Sequence, residues 1–314
     1  MSLVLFVLLA LGWGAAQAAA PAPATTSTQP APSKQAAAQA PAHDREFWHA
    51  IIKNKFAPPE GQPITLLLAE LNGMLGSTDP ELRDELAYTI IDQWVRHQEM
   101  PATNLNALAD AWRLNLRFKI GESGTDSVFT RSFSALCLAS LARRELQSPF
   151  LGPERYQALL NEALTYLKQE KDLRGFDAGK GWIHATAHTA DLLAFLAGNS
   201  MLRKEDQARL LGAITQRLAS AGQVFSYGEQ DRLSLIAATI ATRNDFDAAA
   251  FSRWLTEVSA DERVWNDSPP HLELLATFEN NSYMLQALAA HLSASETPPL
   301  AEARKRLLEV LRRR

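Results

Sequence analysis

Residues 174–191 gather most of the side chains in this 314-residue sequence whose types and spacing suggest chemistry. They read Arg174-Gly175-Phe176-Asp177-Ala178-Gly179-Lys180-Gly181-Trp182-Ile183-His184-Ala185-Thr186-Ala187-His188-Thr189-Ala190-Asp191. A helix opening near Gly181 would put His184, His188 and Asp191 within roughly 60° of one another, at ~100° per residue. Two imidazoles and a carboxylate on one stripe can hold a divalent metal through His184 and His188. They can equally supply a general base with Asp191 orienting its ring. Lys180 and Trp182, just ahead of the stripe, are the expected ligand contacts. The competing reading is structural: on spacing alone, paired histidines on an inner helix face more often satisfy backbone or carboxylate groups. Gly175, Gly179 and Gly181 shift the balance toward a site, because they permit positive φ or close backbone approach, and N–H groups at a helix start attract anions. The stretch is no P-loop. Three residues separate Gly175 from Gly179, Gly181 stands where Ser or Thr follows the lysine, and no strand precedes it.

Two other clusters belong with this one. Asp126-Ser127-Val128-Phe129-Thr130-Arg131-Ser132 reads as a capped helix start. A cation in its first turns opposes the helix dipole, so Arg131 is expected to have a specific acidic partner, and a buried structural ion pair is the favoured reading. Phe225-Ser226-Tyr227-Gly228-Glu229-Gln230-Asp231-Arg232 enters a third helix with Glu229, Asp231 and Arg232 as ligand-binding candidates, although acids in a first turn are also ordinary dipole partners. Single helices separate the three starts near 127, 181 and 229. Alternate helices of a hairpin stack share a layer, so Arg131, His184, His188 and Glu229 or Asp231 are expected to converge.

The elements that would position them are helical throughout. Apolar residues recur at three- and four-residue spacing from a start capped by Asp44, then over 64–76, 80–97, 103–119, 127–147, 153–171, 181–198, 204–221, 229–242, 246–258, 270–293 and 297–313. No alternating strand pattern is visible. Many helices joined by short connections predict an all-α fold of stacked antiparallel helix hairpins, a curved αα-solenoid. The alternative is a compact irregular α-helical domain. Trp94, Trp112, Trp254 and Trp265 fall on apolar positions and are expected in the core. The single cysteine, Cys137, is expected to be a buried apolar residue.

The segments Arg131-Ser132-Phe133-Ser134-Ala135-Leu136, Gly179 to Leu193 and Glu229-Gln230-Asp231-Arg232-Leu233 resemble the domain-of-unknown-function 2785 family of bacterial proteins, over roughly residues 65 to 290. The resemblance implies a helical domain and carries no activity, cofactor or catalytic assignment.

Residues 3–11 form an apolar core of signal-peptide length, followed by Ala16-Gln17-Ala18, which suits signal peptidase. The expected organisation is a signal peptide over 1–18, an Ala/Pro/Thr-rich disordered tether over 19–43 and one α-helical domain over 44–314. That places the chain outside the cytoplasm, in the periplasm, with membrane anchoring by an uncleaved leader as the alternative; no transmembrane span is expected in the mature chain. Net charge is −4 and no basic domain is present, which argues against nucleic acid as a partner. The sequence has no Gly-x-Ser-x-Gly, His-Glu-x-x-His, dinucleotide fingerprint or CxxC pair. The favoured expectation is a cell-envelope binding or scaffold protein whose concave face takes an envelope protein, a peptide or a small anionic ligand. The alternative is a hydrolase or lyase using His184 and His188, with Asp191 orienting and Arg131 and Lys180 holding an anionic substrate. A divalent metal fits that alternative without being favoured.

Overall fold

The computed structural model describes residues 43–260, 262–266, 268–293 and 298–313. The expected leader, and the expected tether up to residue 42, lie outside the described residues. The chain is all-α, with one very small hairpin among the described residues. Its helices are α1 (Arg45–Lys53), α2 (Ile64–Met74), α3 (Thr89–His97), α4 (Ala102–Asn115), α5 (Ser127–Gln147) and α6 (Gly152–Gln169). They continue as α7 (Ala185–Gly198), α8 (Lys204–Ala219), α9 (Glu229–Ala241), α10 (Ala248–Ser259), α11 (Leu272–Ser293) and α12 (Pro298–Arg313). A π-helical segment, Glu81–Tyr88, runs straight into α3, and strands β1 (Phe176–Asp177) and β2 (Gly181–Trp182) lie between α6 and α7. No described helix is long and apolar enough to cross a membrane.

The helix starts expected from sequence are close to those found. Asp44 caps α1 by accepting a hydrogen bond from the Phe47 N–H. For α10 the cap is Asp247, whose carboxylate takes the Ala250 N–H, while Asp245 pairs with Arg243. Cys137, Trp94, Trp112 and Trp254 are buried as expected, but Trp265 is 62% exposed, because it falls in a short 3-10 turn at Glu262–Trp265 beside the ring of Phe278.

Neighbour relations follow the alternation. Helix α5 packs on α3 and α7, α7 on α9, and α9 on α11, while α4 packs on α5, α6 on α7 and α8, and α8 on α9 and α10. Helices α5 and α7 are buried around most of their circumference, which is what an element with packed neighbours on several sides requires. Leu138, Leu192 and Ile236 are fully buried in this core, each stabilising the fold by about 1.5–3 kcal/mol.

Arginines stitch three helix ends to an element two positions later. Arg144 of α5 donates to the carbonyls of Val95 and Gln98 at the end of α3, at 2.6 and 2.7 Å. Arg217 of α8 does the same for Leu167 and Glu170 at the end of α6, and Arg243, just after α9, for Ala197 and Asn199 at the end of α7. The last carbonyls of a helix lack intrahelical donors and carry partial negative charge, so a guanidinium suits them.

Candidate functional site

The structure corrects the expectation of a helix from Gly181. Residues 175–183 form a hairpin in which Phe176 pairs with Trp182 and Asp177 with Gly181. Its turn is built by the Asp177 carboxylate, which accepts the N–H groups of Gly179 and Lys180 at 2.8 and 2.9 Å, and by Gly181 at φ +73°. The Ile183 N–H extends the ladder to the Gly175 carbonyl at 2.9 Å. His184 then adopts a left-handed conformation, φ 48°, and α7 begins only at Ala185. Despite that offset His184 and His188 remain neighbours, with ring centroids 5.8 Å apart and planes at 84°.

Their hydrogen bonds define their tautomers. The Ser132 hydroxyl has one proton, which goes to the Ile183 carbonyl; the Nδ1 of His188, 2.8 Å from the same oxygen, must therefore donate to it. The His188 lone pair is then on Nε2. His184 donates from Nε2 to the Tyr227 carbonyl at 3.0 Å, which leaves its lone pair on Nδ1. Burial pushes the pKa of His184 down to about 4, with the Arg232 charge adding to the effect and the Tyr227 carbonyl opposing it. Burial holds His188 well below the usual histidine range, reinforced by His184 and Arg232. Both rings are neutral near pH 7. The Glu229 carboxylate lies 3.7 Å from the His184 Nε2 and accepts the Tyr227 N–H at 3.0 Å; burial raises its pKa.

Aromatic rings cover this pair. Trp182 stacks on His184 with centroids 4.3 Å apart, and Phe176 and Tyr227, 43% and 47% exposed, flank Trp182 at 5.0 and 6.3 Å. Gly175 permits the approach of Tyr227, since a Cβ there would lie 2.2 Å from the ring. On the other side, the buried Arg83 guanidinium donates to the Lys180 carbonyl at 2.7 Å and to the Ser77 carbonyl at 2.8 Å. It lies over the rings of Phe129 and Phe133, at 4.1 and 4.7 Å from their centroids. Its ion-pair partner Asp84 is pushed up to about 6 by burial, against the pull of Arg83.

Four stripes at helical spacing meet on this side of the molecule: Asp84, Tyr88, Asp92 and Arg96; Ser132, Leu136, Ser140 and Arg143; His184, His188, Asp191 and Phe195; Glu229 and Arg232. Bonds between stripes fix their register. They are Ser132 to His188, Ser140 to Asp92 at 2.7 Å, and Arg232 to both Asp191 oxygens at 2.7 and 2.6 Å.

Of the residues expected from sequence, His184, His188, Trp182 and Glu229 come together. The others are committed elsewhere. Arg131 forms the expected buried ion pair, with Glu170 through bonds of 2.6 and 2.9 Å, and donates to the carbonyls of Phe118 and Lys119, so its guanidinium is not offered to the imidazoles. Asp191 is bonded to Arg232 and not to a histidine. Lys180 pairs with Asp126 at 2.6 Å and Asp231 with His291 at 2.9 Å. Among the described residues no group of three His, Cys, Asp or Glu side chains is disposed to hold a metal ion. His184 and His188 would contribute two donors, one short of the usual protein set of a catalytic zinc. The residues not anticipated are Arg83, Asp84, Tyr88, Ser132, Phe176 and Tyr227. Only the Asp177-x-Gly179 turn chemistry hinted at the hairpin that unites several of them.

A family model described as "Protein of unknown function (DUF2785)" matches residues 116–290, from the end of α4 into α11. The match begins later than the residue-65 start expected from the resemblance, so it includes the hairpin, both histidines and Arg232 but not the π-helical segment. No curated protein and no solved structure matches the chain.

Proposed function

The chain belongs to the DUF2785 family, and we propose that it is an exported binding or scaffold protein of the cell envelope that holds an extended peptide or protein segment. In this reading the helices form a curved αα-solenoid, with α3, α5, α7, α9 and α11 as its inner layer and the four stripes as its concave face. The succession of contacts from α3 to α11 and the recurring arginine latches support that arrangement. The observation that carries the functional reading is the aromatic cover. Phe176, on a hairpin bonded to its neighbours through backbone carbonyls, and Tyr227, ahead of α9, hold large apolar surface in solvent beside Trp182. Exposed aromatic rings on a rigid support bind with little loss of side-chain freedom. Ser132 lies 11 residues before Arg143 on α5, so the stripe runs about 16 Å, a length suited to an extended segment.

A random hexapeptide pool passed over the immobilised protein tests the reading. Peptides retained by the wild type are expected to be lost by Phe176→Ala and Tyr227→Ala variants of unchanged far-UV circular dichroism. Retention by those variants refutes it.

A second reading, a hydrolase or lyase, is favoured by one observation: each neutral imidazole keeps one nitrogen lone pair not used by its protein hydrogen bond. Turnover of p-nitrophenyl acetate or p-nitrophenyl phosphate that disappears in His188→Gln would replace the first reading with this one. His188 is only 8% exposed, which favours binding over general-base work.

A further inference from the structure

The far end of the same face holds a cation without a counter-charge of its own. The Ser140 hydroxyl donates to Asp92 at 2.7 Å and draws α5 against α3. One turn further along each helix, Arg143 comes within reach of the Arg96 charge, and the Arg144 latch onto the end of α3 fixes that register. Arg96 is engaged: its Nε lies 3.2 Å from Asp92, and its guanidinium donates to His97 at 2.9 Å. Arg143 is partly buried, yet among the described residues it has neither a hydrogen bond nor an ion pair. Burial and the charge of Arg96 both disfavour its protonated form, against the weaker attraction of Asp92. The single Asp92 carboxylate is paired with Arg96, and the positive charge of Arg143 is left over. Nearby charges on α7 and α9 do not cancel it, because Asp191 and Arg232 neutralise each other.

Holding a partly buried guanidinium beside another cation is unfavourable, and an acceptor able to take two parallel N–H groups would relieve it. We propose that Arg143, with Arg96 beside it, receives the C-terminal carboxylate of the bound segment. This rests on the peptide-binding reading for the body of the ligand, but the carboxylate subsite can be tested without it. A carboxylate matches the one uncompensated charge, whereas a phosphate dianion exceeds it. Arg143 lies about 16 Å along α5 from Ser132. An extended chain advances about 3.3 Å per residue, so roughly five residues separate a carboxylate at Arg143 from side chains against Phe176, Trp182 and Tyr227.

The test compares a random hexapeptide pool with free C-terminal carboxylates against the same pool amidated, on the wild type and on Arg143→Gln. The free acids are expected to bind the wild type at least about tenfold more tightly, a preference equivalent to about 1.4 kcal/mol. That preference should vanish in Arg143→Gln while binding of the amides stays the same. Because Arg143 makes no hydrogen bond, the variant is expected to melt no lower than the wild type. Equal affinity for acid and amide, or a preference that survives the substitution, overturns the proposal and leaves the peptide-binding reading standing. If neither pool binds, that reading fails, and titration with sodium acetate decides the subsite by itself. A saturable shift of the Arg143 Nε–H NMR resonance supports it, and no shift overturns it. A shift given by inorganic phosphate but not by acetate overturns the carboxylate assignment.

Discussion

Replacing Ser132 with alanine tests the hydrogen-bond chain beneath the aromatic cover most directly. The side chain is fully buried, and its one oxygen serves two partners, the Ile183 carbonyl as acceptor and the His188 Nδ1–H as donor. Alanine leaves both groups buried without a partner. An orphaned buried polar group costs about 1–3 kcal/mol, so the two together predict a loss of roughly 2–6 kcal/mol. Moving the His188 proton to Nε2 would not recover this, because an unpaired acceptor at Nδ1 replaces the unpaired donor. Ser134→Ala is the internal standard: Ser134 is equally buried on the same helix but takes one hydrogen bond, from Asn115 at 2.9 Å. Urea unfolding of both variants gives the comparison, and long-range ¹H–¹⁵N spectra of the wild-type imidazoles report which nitrogen carries the proton. If Ser132→Ala costs no more than Ser134→Ala, or if His188 carries its proton on Nε2, the assignment of His188 as a donor fails.

Other consequences concern the same neighbourhood. In the folded chain His184 resists the proton that the unfolded chain takes up below about pH 6.5. The stability this represents is intact above that pH and is lost as the pH falls towards about 4, the folded-state pKa of His184, amounting to at most about 3 kcal/mol. Asp84, pushed up to about 6 by burial, acts in the opposite sense over the same window, so the gap between wild type and His184→Gln isolates the histidine. In urea titrations that gap should move against the wild type between pH 7 and 4, and a pH-independent gap would refute the argument. Gly175→Ala drives a Cβ to 2.2 Å from the Tyr227 ring and should cost about 1–3 kcal/mol by thermal melting. The cost should largely disappear on a Tyr227→Ala background; a cost that persists there places the strain elsewhere. Glu170→Gln removes the buried partner of Arg131 and should destabilise by about 3–5 kcal/mol in urea unfolding while leaving hexapeptide retention unchanged. Loss of retention in a folded Glu170→Gln protein would return Arg131 to the binding site.

The helices were largely legible because burial of one side repeats every 3.6 residues, and α5 and α9 begin where their acidic or small lead-in residues indicated. The hairpin was not. Two strands of two residues have no period to detect, and three glycines ahead of an apolar run read as a helix start when periodicity is the only guide. The stripe of His184, His188 and Asp191 survived this error because His184 needs only to sit just outside the first turn to remain beside His188. Spacing along one helix could not reveal which partner each side chain takes. Asp191 shares a face with His188, but the guanidinium of Arg232 reaches it from α9, and a cation binds a carboxylate more strongly than a neutral imidazole does. The same limit applied to Arg131. Its need for an acid was evident from its place near a helix start, but the acid, Glu170, lies 39 residues away at the end of another helix. Arg83 gave no signal, since its importance comes entirely from contacts with carbonyls and rings remote in sequence.

The donors that secure the hairpin come from different elements, and this bears on whether the histidines serve binding or chemistry. Arg83, in the π-helical segment, bonds to the Lys180 carbonyl, and Ser132, on α5, bonds to the Ile183 carbonyl. His184, where the hairpin passes into α7, bonds to the Tyr227 carbonyl ahead of α9. Each bond ends on a backbone oxygen, so the hairpin's position depends little on the side chain of Phe176 that it displays. A catalytic imidazole needs its free nitrogen open to substrate and its protonation state poised near the working pH. His188 is nearly sealed and burial pushes the pKa of His184 down to about 4, so both rings suit the role of neutral hydrogen-bond donors that hold the hairpin and the Tyr227 segment in place, as the proposed binding role requires.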